Sequence, residues 1–175
     1  MNKVVTLFFS SLLVSGIFLL NACGSSSSSS GNVPSGSGLI GTWPGSWTNT
    51  TFASSGDLTV TVADNGNGTY DVTVDLDGTV GNMLDPDAQT VTAIVANDGS
   101  ISFSGNVDVM GTPAQLDFSV SSSGDLSISM PSIPIMTFDS FTATGNISSG
   151  SGSLNYTVNF SPTGSASGTA SATKS

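Results

Sequence analysis

Histidine, arginine and glutamate are absent from this chain, and cysteine occurs once, at Cys23. Each absence removes a class of chemistry. Without histidine or a second cysteine, the common zinc sites and the Ser-His-Asp and Cys-His nucleophile systems cannot be assembled. Without arginine there is no bidentate clamp for phosphate or carboxylate. The only side-chain cations are Lys3 and Lys174. No basic patch can form to neutralise a phosphate backbone, so nucleic acid is excluded as a partner. A lone cysteine has no intrachain disulfide partner. All 12 acidic residues are aspartate, and the formal net charge is −10. Nothing calls for a cofactor. The missing glutamate and scarce lysine also remove two staples of exposed helical faces. What remains on the polar side (Asp, Asn, Gly, Ser, Thr) suits turns and exposed strand faces.

The amino terminus reads as an export signal. Lys3 supplies a short positive region, and Val4 to Leu20 is an apolar run broken by Thr6, Ser10, Ser11, Ser15 and Gly16. A run of that length, followed by glycine and serine rather than charged or aromatic anchors, suits a signal core better than a membrane-spanning helix. It ends in Leu20-Asn21-Ala22-Cys23, just before Gly24 and six consecutive serines. This tetrapeptide resembles the lipobox of bacterial lipoproteins: an aliphatic residue, a tolerant position, a small residue and cysteine. The resemblance implies a diacylglycerol on the Cys23 sulfur, cleavage before Cys23 and a bilayer as partner. Acylation at two or three positions would hold firmly where a single chain holds only marginally. In enteric-type bacteria an aspartate after the lipidated cysteine retains such proteins in the inner membrane. Gly24 implies the outer membrane if the host is Gram-negative. Once the signal leaves, Lys174 faces 12 aspartates, and the formal charge becomes −11.

The expected organisation is a signal over residues 1–22, a lipidated Cys23 with a disordered Gly/Ser tether over 23–38, and a folded domain over 39–175. A coil of some 15 residues spans roughly 20 Å root-mean-square, enough to lift a domain off the headgroups. Through the domain, apolar residues recur with period 2. Leu58, Val60 and Val62 form one set, and Tyr70, Val72, Val74 and Leu76 another. Leu116, Phe118 and Val120, then Leu126, Ile128 and Met130, then Leu154, Tyr156, Val158 and Phe160 follow. Turn signals separate them at Asp64-Asn65-Gly66-Asn67-Gly68, Asn97-Asp98-Gly99 and Ser122-Ser123-Gly124-Asp125. No helical period is present. Short connections predict antiparallel neighbours in an up-and-down order.

The predicted fold is therefore all-β: a single antiparallel barrel of about 8–10 strands, with a two-sheet sandwich as the alternative. Gly105, Gly145 and Gly168 fall inside strand patterns, where glycine marks bulges or bends that help a sheet curl shut. Ser54–Thr61 resembles Ser122–Ser129, read as one turn-into-strand solution used twice. Gly41-Thr42-Trp43 resembles the Gly-x-Trp on the first strand of lipocalin- and avidin-type barrels, where the tryptophan closes one end. The second lipocalin landmark, an arginine near the last strand that packs on this tryptophan, has no counterpart in an arginine-free chain. Pro44 is expected to bend this strand or to lie at an edge.

Three groups of residues are candidates for function. Asp85 and Asp87 flank Pro86 in the longest polar gap between early strands. They could ligate Ca²⁺ with help from Asp75 and Asp77, form an acid–base pair, or simply occupy a surface turn. Met130 to Phe138 is apolar and carries Pro131 and Pro134. It reads as an edge or loop over a barrel end, or as an adaptable lip whose Ile133, Ile135, Met136 and Phe138 meet a ligand or partner, with Phe141 beside them. Trp43 and Trp47 lie on one side of a strand. They anchor the core if buried and could stack on sugars if exposed.

Three functions follow. The first is a non-enzymatic envelope lipoprotein whose β-domain binds a small apolar ligand or a protein partner. The second is a structural or surface-display protein with an acidic, solubilising shell. The third, more remote, is a hydrolase using an aspartate pair.

Overall fold

The computed structural model describes residues 38–78, 87–109, 112–133, 138–148, 150–162 and 164–175. Cys23 with the signal and nearly all of the tether, Asp85, Ile135 and Met136 lie outside the described residues. Ten strands follow in order: β1 (Gly41–Asn49), β2 (Ser54–Asp64), β3 (Thr69–Leu76), β4 (Gln89–Val95) and β5 (Ile101–Val109). Then come β6 (Thr112–Val120), β7 (Asp125–Met130), β8 (Phe138–Ser148), β9 (Ser151–Phe160) and β10 (Ser165–Thr173). Each strand pairs antiparallel with its neighbours in sequence, and β1 pairs with β10, from Gly45↔Ala172 to Asn49↔Gly168. That last ladder closes the sheet into an up-and-down barrel and rules out the sandwich. Closure of β1 on β10 removes the two outer edges of the sheet, which matters in a chain with almost no lysine to blunt them.

The period-2 pattern sorts the side chains. Leu58, Val60, Val62, Val72, Val74, Leu116, Phe118, Ile128, Leu154 and Val158 point inward and are buried. Their neighbours, chiefly Thr, Ser, Asn and Asp, point out. Large and small inward residues are matched across the wall. The inward face of β10 is Ala166, Gly168, Ala170 and Ala172, opposite Trp47 on one side and Leu154, Tyr156 and Val158 on the other. At Gly168 a Cβ would collide with the Thr48 carbonyl oxygen and the Tyr156 ring. Only glycine lets that ring cross β10 so that its hydroxyl donates to the Thr48 carbonyl on β1, at 3.0 Å. Tyr156 is thus stapled across the closing strand pair.

The turn signals form the turns expected of them. Gly66, Gly68, Gly99 and Gly124 all take positive φ, the conformation glycine adopts without penalty. Asp64 Oδ1 accepts from the Gly66 amide at 2.8 Å, and Asp98 Oδ1 from the Ser100 amide at 2.9 Å.

Three expectations differ from the structure. Gly105 and Gly145, like Gly168, sit in unbroken register, and the one shift among the described pairings is at Phe138/Ser140 on β8. These glycines make room for neighbouring atoms instead of marking bulges. The Ser54–Thr61 and Ser122–Ser129 segments do not share one conformation. Ser54 to Asp57 is already strand, paired with Asn49 to Ser46, whereas Ser122 to Gly124 is a turn. Finally, the missing arginine has a substitute: Lys174 Nζ lies over the Trp43 ring, 5.4 Å from its centroid. Pro44 lies one residue beyond the β10 ladder, which starts at Gly45, so its missing N–H costs no pairing there.

Candidate functional site

The barrel has two ends. The terminal end holds the entry at Gly38, the exit at Ser175 and the β2–β3, β4–β5, β6–β7 and β8–β9 turns. The distal end holds the other connections. At the terminal end Trp43 is fully buried; its indole N–H donates to the Leu39 carbonyl at 3.0 Å, and Lys174 covers the ring. Trp43 thus covers the core at that end.

The wall is uneven in one place. Every other neighbouring pair of strands shares at least four consecutive rungs, but β4 and β5 pair only through Ile94↔Ser102 and Val95↔Ile101. Both rungs lie next to the terminal-end turn. From there to the distal end, Gln89–Ala93 and Phe103–Val107 have no ladder with each other among the described residues. Continued in register, the pairing would set Val91 opposite Gly105. The Phe103 ring lies along its own strand over that glycine: a Cβ on Gly105 would meet Phe103 Cζ at 2.9 Å.

Near the seam Phe103, Val107 and Val95 face the core yet are only half-buried, whereas Ala93 beside them and Val72, Val60 and Met130 elsewhere on that face are 0% exposed. On the outside, Ile94 beside the last rung is 63% exposed. Phe52, at 44%, is the other large exposed apolar side chain among the described residues. It sits on the distal β1–β2 turn, which is braced by Asn49 Oδ1 accepting from the Thr51 and Phe52 amides at 3.0 and 2.9 Å.

The interior carries no ionised group among the described residues; its buried polar side chain is Asn49. Trp47 donates its indole N–H to the Asp77 carbonyl at 3.1 Å. Burial pushes the Tyr156 hydroxyl up to about 12, although a hydrogen bond with the Asn49 side chain opposes the shift. Burial, and then the Asp64 carboxylate, raise Tyr70 above the usual tyrosine value. Both phenols are therefore neutral at physiological pH.

The predicted site residues fall as follows. Ile133 and Phe138 are buried in the core cluster at the distal end, with the Ile133 amide donating to the Asp139 carbonyl at 3.2 Å. Phe138 packs on Phe160 at 5.2 Å between ring centroids. Both side chains pack inside the barrel near its distal end. Phe141 is not beside them on a lip: it is core, stacked with Tyr156 at 6.2 Å. Ile135 and Met136 lie outside the described residues. Asp87 is exposed just before β4, and Asp85 lies outside the described residues. The described residues contain no group of three or more metal-ligating side chains. Trp43 and Trp47 are both buried and present no face for a sugar. Sequence reasoning missed the seam, because the length of a ladder depends on the pairing of two strands and not on either alone.

The wall is polar outside and apolar within, the reverse of a barrel whose outer face meets lipid. No helix among the described residues is long and apolar enough to cross a membrane.

No protein-family model matches the chain. No curated protein matches it. Several solved structures do. The crystal structure of Rv2717c from M. tuberculosis aligns with a TM-score of 0.55 at 14% identity, covering 78% of this chain and 92% of that one. At that identity the likeness speaks to the fold alone. A redesigned beta barrel aligns over 84% of this chain and 99% of its own at 14% identity, with a TM-score of 0.39, too low to bear on the argument.

Proposed function

We propose that this chain is a lipid-anchored envelope protein, held to the bilayer through acylated Cys23, whose barrel binds a small apolar molecule at the β4–β5 seam. Binding, not catalysis, is its role. The observation that carries the reading is the two-rung ladder of β4 with β5. Beside it, Phe103 and Val107 on the inner wall are only half-buried, whereas most of that wall is buried. Apolar surface that the fold leaves half-covered gains free energy when a ligand covers it, about 25 cal/mol per Å². The polar outer wall supports anchoring by acyl chains, since strands with such a face cannot themselves enter lipid. Gly24 after the lipidated cysteine supports the outer membrane in a Gram-negative host.

Two experiments test this. Labelling cells with a palmitate analogue should modify the wild type and not Cys23→Ser. Organic extraction of the purified protein, followed by mass spectrometry, should recover an apolar molecule in stoichiometric amount. Its absence would leave the structural, surface-display reading. That second reading is favoured by the tight packing of the lumen, in which Trp43, Val60, Val72 and Met130 have no accessible surface.

A further inference from the structure

We infer that the β4–β5 seam selects an uncharged apolar molecule and rejects fatty acids and other anionic lipids; this rests on the seam being the binding site. The argument is one of chemical complementarity. A carboxylate or phosphate taken into an apolar site needs a cation or several hydrogen-bond donors. The seam offers no cation. The chain has no arginine or histidine, Lys3 lies in the signal, and Lys174 follows β10 at the terminal end, engaged with Trp43 and the Gly38 carbonyl.

The interior donors are committed as well. The indole N–H groups of Trp43 and Trp47 and the Tyr156 hydroxyl each bond a backbone carbonyl of the wall. An anionic head left in water at the distal mouth fares no better. Asp87 lies two residues before β4, and Asp108 is the penultimate residue of β5, so both banks of the mouth are negative. An uncharged chain meets none of these penalties. It lies against Val107 and Phe103, with the Phe103 ring swinging off Gly105 to admit it. The ring packs against the core cluster and over Gly105, which carries no side chain to pin it there.

The test uses two probes of one chain length that differ only in the head group, hexadecanol and palmitate. Full-length lipidated protein in detergent is incubated with both at equal concentration at pH 8, and native mass spectrometry counts the adducts. The expected result is one hexadecanol per protein, with palmitate adducts at least tenfold fewer. Gly105→Leu should abolish the hexadecanol adduct by filling the space under the ring, and Phe103→Trp should reduce it. Circular dichroism reports whether each variant is folded, and either folded variant suffices.

Palmitate adducts equal to or above hexadecanol would overturn the charge selectivity and leave the seam standing. Hexadecanol binding that both folded variants retain would place the molecule elsewhere and overturn the inference. Failure of both probes to bind wild type would bring down the ligand reading itself.

Discussion

Lys174 Nζ sits 5.4 Å from the centroid of the Trp43 ring and donates a 2.9 Å hydrogen bond to the Gly38 carbonyl. One side chain at the end of the last strand thus ties together the first strand and the segment where the chain enters the barrel. Around it, the Ser175 amide donates to the Thr42 carbonyl at 3.1 Å, and the Lys174 amide to Gly150 at 2.8 Å. The terminal end is a clasp around Gly38, where the described chain enters the barrel.

Replacing Lys174 with methionine keeps the aliphatic stem over Trp43 and removes the charge and the hydrogen bond. The expected loss of stability is about 1–2 kcal/mol, from a cation–π contact and one hydrogen bond. Urea unfolding curves of wild type and K174M measure it. Arginine at this position should restore most of the loss.

Trp43 and Trp47 are 0% and 1% exposed. Their fluorescence should be blue-shifted in the folded protein and insensitive to iodide, with both properties lost in denaturant. A red-shifted, iodide-quenched band in the native protein would contradict the burial and revive sugar stacking.

Stability should decline at alkaline pH. The Tyr156 hydroxyl is raised to about 12 in the folded barrel, chiefly by burial, and Tyr70 is raised as well. The unfolded chain gives up these protons near pH 10. Folding therefore has its full contribution from these groups below pH 10 and loses it as pH climbs towards 12. Unfolding curves across this range should show the fall. Tyr156→Phe should flatten part of it while costing about 1 kcal/mol at neutral pH for the lost bond to Thr48.

The opposite limb involves exposed carboxylates. Asp71 is held below the usual range first by the Thr92 hydroxyl and then by Asn65, and Asp125 first by Ser123 and then by Asn146 and Ser121. Lowered values mean stability that is present above pH 4 and lost as pH falls below it. Asp71→Asn should shrink this acid-side loss in a pH series of thermal melts.

Ala53 has φ of 52° in the β1–β2 turn, a left-handed conformation unfavourable for a residue with a Cβ. Ala53→Gly should stabilise the barrel by about 0.5–1 kcal/mol, offset in part by glycine's greater freedom when unfolded. Differential scanning calorimetry provides the comparison.

Much of the fold was legible one residue at a time. Period-2 alternation assigned Leu58, Val72, Phe118 and Val158 to the inner face, because successive strand side chains point to opposite sides. Asn65-Gly66 and Asp98-Gly99 announced their turns, because glycine alone takes positive φ without penalty. What needed tertiary structure was anything set by a distant partner. Ser-Ser-Gly-Asp occurs at 54–57 and 122–125. It is strand in the first place because Asn49 to Ser46 pair with it, and turn in the second because β6 and β7 must reverse there. Lys174 became the clasp on Trp43 only when β10 closed on β1. The short ladder between β4 and β5 is likewise a matter of pairing between two strands that neither strand records alone.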